Sequence, residues 1–143
     1  MSNTITVAKA LQAALAAEHA AVFGYGVVGA HGGERYAAAA NHDWNVHRAH
    51  RDQLIALLRQ RKIDPVGAKP AYALPFNVDG PETAARLAAH LEDGLASAYL
   101  LLVATTDPKL RSLGARMLRD ATVRGTRWGG SMAAFPGMDS GVS

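Results

Sequence analysis

The segment IDPVGAKPAYALPFNVDG, Ile63 to Gly80, carries three of the six prolines in the chain, and no helical hydrogen-bond ladder survives prolines at that density. On either side of it, apolar residues recur at spacings of three and four, the period of a helix with one buried face. The sequence therefore reads as two helical hairpins joined by one long connection. A first helix is expected from about Thr4 to about Gly29 and a second from about Glu34 to about Lys62, with the glycine-rich GAHGGE between them. A third opens at DGPET, where an acidic residue, a proline and a glutamate suit a first helical turn, and runs to about Thr105. The fourth has Asp107 as N-cap and Pro108 at its first helical position, and ends at Gly129 and Gly130. Residues 1–130 are expected to form one all-α domain, a four-helix bundle with a long crossover between helices 2 and 3. Residues 131–143 remain as a C-terminal tail whose Phe135 could fold back.

Composition narrows the function classes. The 143 residues are 49% hydrophobic but only 6% aromatic, and the alanine and leucine that make up the difference are strong helix formers. There is no cysteine, which excludes disulfides, thiolate metal sites and thiol catalysis and permits a reducing cytoplasm. Gln12, Glu18 and His19 interrupt the first apolar stretch and argue against a membrane span or a signal-peptide core. The expectation is a cytoplasmic protein with no membrane partner. A net charge of +3 and a pI near 9.5 hint at nucleic acid, but the arginines are scattered over several segments, so nucleic-acid binding is not expected. No phosphate loop, dinucleotide fingerprint or nucleophile elbow is present.

The chemistry lies in the apolar stripes. Helix one presents Leu11, Leu15, Glu18, Val22 and Tyr25; helix two presents Asp43, His47, His50, Leu54 and Leu57; helix three presents Ala88, Glu92, Leu95, Tyr99 and Leu102; helix four presents Leu113, Met117, Asp120, Arg124 and Arg127 or Trp128. Every helix thus carries a polar residue where a buried one belongs, all near mid-height. Glu18, His47, His50, Glu92 and Asp120 could converge on one level of the bundle as metal ligands. Tyr25 and Tyr99 read as packing residues, and His19, His31, His42 and His90 as surface histidines.

With these residues the chain resembles the ferritin-like superfamily, whose bundles place a glutamate on helices one and three and Glu-x-x-His on helices two and four around two metal ions. Within it, ALQAALAAEHAAVFGYGVVGA, HRAHRDQL and PAYALP are similar to the small actinobacterial ferritin-like family of unknown function, DUF4439, over roughly residues 6 to 130. The resemblance implies roles for Glu18 and Glu92 as the glutamates of helices one and three and for His50 as the helix-two histidine. The pattern is incomplete. His47 and Asp120 stand where glutamates belong, Val123 replaces the last histidine, and Arg124 adds a positive charge beside the site. The expectation is at most one ion, iron, manganese or zinc, since mixed nitrogen and oxygen donors do not choose among these. The alternative is a non-enzymatic bundle in which Arg51 or Arg124 pairs with Glu18 in a buried ion-pair network, and which acts by binding a partner or a second copy of itself.

Overall fold

The computed structural model describes residues 5–132, without the side chains of residues 130–132; the tail and Phe135 lie outside the described residues. Among the described residues there are four helices and no strand: α1 (Val7–His31), α2 (Gly33–Gln60), α3 (Pro81–Val103) and α4 (Pro108–Met132). Thr6 caps α1, its hydroxyl accepting from the Lys9 amide at 3.2 Å. Asp107 caps α4 as expected, accepting from the amides of Lys109 and Leu110 at 3.0 and 3.1 Å. The break between α1 and α2 is shorter than GAHGGE suggests. Gly33 takes φ +66°, a left-handed conformation that reverses the chain at once and costs glycine nothing. Only Gly32 is left between the helices.

Helix α1 packs against both α2 and α3, and α3 packs against α4. Residues that meet across these seams fix the directions. Glu18 faces His47 and His50 of α2, and Tyr99 of α3, while Tyr25, further along α1, meets Glu92, earlier in α3. These pairings make α3 antiparallel to α1, and α2 is antiparallel too, since Gly29, near the end of α1, lies against Ala40, near the start of α2. The crossover returns the chain along the length of α1. Gln12 holds it at one end, donating to the Asp64 carbonyl at 2.7 Å and accepting from the Val66 amide at 2.9 Å, and Phe23 meets Tyr72 further on, with ring centroids 5.4 Å apart. His19 is not a surface residue. It is buried under this strap, with Nε2 3.0 Å from the Val66 carbonyl. By length and composition α1 could span a bilayer, yet α2, α3 and the strap occupy its flanks here.

The core is leucine and alanine closed by aromatic rings: Leu11, Leu15, Leu54, Leu58, Leu87, Leu95 and Leu102 are fully buried with Tyr25 and Tyr99. Close approach of α4 to α3 depends on Gly114. A Cβ there would lie 2.8 Å from Leu102 Cβ, 3.0 Å from the Val103 nitrogen and 3.1 Å from the Tyr99 carbonyl oxygen, and backbone atoms cannot swing aside as a side-chain tip can. Gly114→Ala is expected to destabilise the bundle by about 1–3 kcal/mol through overpacking, despite alanine's better helix propensity. A urea midpoint equal to or above the parent's would contradict this.

The α2 and α4 backbones stand farther apart, with no Cα pair within 8 Å among the described residues. Large side chains bridge that gap. The Trp128 indole donates to Asp43 Oδ2 at 2.9 Å, and its ring lies 5.4 Å from that of Tyr36.

Candidate functional site

At mid-height four helices deliver polar side chains to one buried point. Glu18, His47 and Glu92 have fully buried side chains, Arg124 is 9% exposed, and His50, at the edge, is 18% exposed. His47 is the hub. Its Nδ1 lies 2.6 Å from Glu18 Oε1 and its Nε2 2.8 Å from Glu92 Oε2. A neutral imidazole has one donor, so a ring holding two carboxylates at these distances is an imidazolium donating from both nitrogens.

Each carboxylate has further donors. Glu18 Oε2 accepts from Tyr99 Oη at 2.6 Å and lies 3.2 Å from His50 Nδ1. Glu92 Oε2 also accepts from Tyr25 Oη at 2.5 Å, and Glu92 Oε1 accepts from Arg124 Nε at 3.0 Å. The two carboxylates thus face the His47 imidazolium and the Arg124 guanidinium, two charges against two. That balance allows burial, because unpaired charges in a core are strongly disfavoured.

The titrations follow from this arrangement. Burial alone would lower the His47 basicity, but the hydrogen bonds and charges of Glu18 and Glu92 outweigh it and lift the imidazole to about 9. Burial alone would raise Glu18, yet the donors His47, His50 and Tyr99 hold it down at about 2. Both phenols are pushed well above their ordinary range, by burial first and by the facing glutamate second. Arg124 is raised because the pull of Glu92 exceeds the burial penalty.

The sequence-based expectations fare unevenly. Glu18, His47, His50 and Glu92 do come together, but the His47 ring divides them. Glu18, His47 and His50 offer ligand atoms that all lie within 4.8 Å of one another, while Glu92 meets the opposite nitrogen of the ring. Asp120 does not join. Its side chain is 46% exposed and 3.6 Å from Arg119, because the buried stripe steps from Met117 by four to Ala121 rather than by three to Asp120. Arg51 is not a buried partner of Glu18 either. One residue past His50, it is turned off the inward face and pairs with Asp52 at 3.1 Å. Arg124 is buried as expected but bonds to Glu92 rather than Glu18.

Tyr25 and Tyr99, read as packing, are hydrogen-bond donors to the cluster. A signal for this existed. Tyr25 follows Glu18, and Tyr99 follows Glu92, by two helical turns, so antiparallel α1 and α3 exchange hydrogen bonds reciprocally. The Asp43–Trp128 pair had no such signal, since it joins two helices whose backbones do not touch.

No functionally curated protein matches the chain. Among solved structures it is similar to a conserved hypothetical protein, Rv2844, from Mycobacterium tuberculosis, with 33% identity, a TM-score of 0.84, and coverage of 89% of this chain and 90% of that one. The family described as Domain of unknown function (DUF4439) matches residues 10–140, a span that includes α2, α3, α4, all of α1 but its first three residues, and every residue of the cluster, and the chain belongs to that family.

Proposed function

We propose that the bundle binds one divalent metal ion through Glu18, His47 and His50. The observation that carries this reading is the convergence of one carboxylate and two imidazoles, all within 4.8 Å, at a buried point with one edge near solvent. Two histidines and a glutamate form a donor set that suits zinc, iron or manganese. Glu92 is then not a ligand but the carboxylate that accepts from the far nitrogen of a ligating histidine, the partner that fixes ring orientation and raises ligand basicity. Tyr25 and Arg124 hold Glu92 in that position. Arg124 therefore neutralises the supporting carboxylate rather than opposing the ion. A bound ion would supply Lewis acidity, and iron or manganese also redox chemistry.

The second reading is a permanent ion-pair network in a binding or self-associating module. It is favoured by His47, whose two nitrogens are both already satisfied by carboxylates. Metal analysis separates the two. Untagged protein incubated with Zn(II), Fe(II) or Mn(II) and desalted is expected to retain one equivalent per chain. Glu92→Gln should weaken the affinity by about 10–100-fold, as loss of a supporting carboxylate does elsewhere, while Asp120→Asn leaves it unchanged. Retention of no metal under any of these conditions would leave the ion-pair network as the function of the cluster.

A further inference from the structure

Beside the cluster runs a short chain of aromatic rings. Tyr25, stacked on His47 with centroids 5.2 Å apart, lies 6.2 Å from Trp128, and Trp128 lies 5.4 Å from Tyr36. Trp128 also lines a surface cleft of about 140 Å³ with Tyr36, Ala39, Asp43 and Arg127. Two of these rings have something ordinary core aromatics lack, a buried carboxylate on the hydrogen that oxidation makes acidic. The Trp128 N–H points at Asp43 Oδ2, and the Tyr25 O–H at Glu92 Oε2.

We propose that Trp128 and Tyr25 form a one-electron relay between the surface cleft and the buried cluster, with Asp43 and Glu92 as the proton acceptors. A diffusible one-electron oxidant at the cleft takes an electron from Trp128, and the indole proton moves to Asp43. Tyr25 then reduces the tryptophanyl radical. Its phenolic proton passes to Glu92, the indole recovers its proton from Asp43, and a neutral tyrosyl radical remains at Tyr25. Each proton crosses an existing hydrogen bond while the electron passes between neighbouring rings. The one positive charge that the lost electron leaves is shared by the hydrogen-bonded cluster, as protonated Glu92 beside His47 and Arg124, rather than isolated on one group. The relay does not depend on a metal in the cluster.

Tyr36 gives the proposal its sharpest contrast. It is nearer to Trp128 than Tyr25 is, but its hydroxyl is buried and without a hydrogen-bond partner among the described residues. Oxidising it would strand a proton, and hence a charge, in a medium that cannot solvate one. The relay therefore runs to the farther tyrosine.

Pulse radiolysis of the metal-free protein with the azide radical as oxidant tests this. The chain has two tryptophans, so Trp44→Phe leaves Trp128 as the one indole to oxidise. In that background the tryptophanyl absorption is expected to decay into tyrosyl absorption at a rate independent of protein concentration. Tyr25→Phe should abolish the conversion and Tyr36→Phe should leave its rate unchanged. In the unsubstituted tyrosine background the conversion should also slow in D2O, a readout that needs no tyrosine variant to fold. Conversion that persists in Tyr25→Phe, that disappears in Tyr36→Phe, that is absent from the Trp44→Phe background, or that is indifferent to D2O overturns the relay.

Discussion

His47→Leu is expected to cost about 3–5 kcal/mol of stability at neutral pH, the range for removing one member of a buried charge pair. Leucine fills most of the imidazole's volume, so cavity formation contributes little. The loss comes from what remains: Glu18 and Glu92, both fully buried, lose the cation shared between them. Each keeps some donors, Glu18 having Tyr99 and His50 and Glu92 having Tyr25 and Arg124. The site nonetheless has one negative charge too many, and one carboxyl must take up a proton to remain buried. A second substitution, Glu18→Leu, removes that excess charge and should recover part of the loss. Urea unfolding of both single variants and the double variant is expected to give a coupling of about 1–3 kcal/mol between positions 18 and 47. The same cycle between Glu18 and Arg124 should give a smaller value, because Arg124 bonds to Glu92. A cost below about 1 kcal/mol for His47→Leu would mean that the ring is not the bridging cation described here.

Stability should also depend on pH with a definite sign. His47 is held at about 9 against an ordinary 6.5, so the folded state keeps a proton that the unfolded chain releases. Its contribution is complete below pH 6.5 and lost as the pH rises through about 9. That separation corresponds to about 3 kcal/mol at most. Glu18, held at about 2 against 4.5, acts in the opposite direction. Its contribution is complete above pH 4.5 and lost as the pH falls through about 2. From these two groups the greatest stability is expected between pH 4.5 and 6.5, with a decline from pH 6.5 to 9. Urea midpoints of the metal-free protein across that range check this, and His47→Leu should remove the alkaline decline. A parent whose stability is flat from pH 6.5 to 9.5 would contradict the imidazolium assignment.

The legible part of this protein was periodicity. The proline-bearing Ile63–Gly80 segment and the stripes around it predict two hairpins and a long crossover, and the Asp107–Pro108 start of α4 is a local signal that tertiary structure had no reason to override. Glu18 and His47 were recognisable as buried because they continue leucine stripes at helical spacing, Leu11 and Leu15 before Glu18 and Leu54 and Leu57 after His47, which sets the side of the helix they face. On α4 the same reasoning fails at Asp120. Steps of three and four are both helical, and choosing between Asp120 and Ala121 takes knowledge of how α4 is rotated against α3, a rotation set by contacts such as Gly114 on the Tyr99 and Val103 backbone.

Sequence alone determined most of the residues that occupy the interior, since burial is largely written in the spacing of each helix separately; His19, covered by the crossover, and Asp120, turned off the α4 seam, are the exceptions. Which oxygen meets which nitrogen was decided by the tertiary structure. The antiparallel pairing of α1 with α3 brings Tyr25 to Glu92 and Tyr99 to Glu18, the gap between α2 and α4 admits Trp128 to Asp43, and the orientation of the His47 ring puts Glu18 and Glu92 on opposite nitrogens. Hydrogen bonds act over about 3 Å and at restricted angles, whereas a helical stripe fixes a side chain's direction only to within a broad sector. A sequence can therefore place all the members of this cluster without establishing how they are joined.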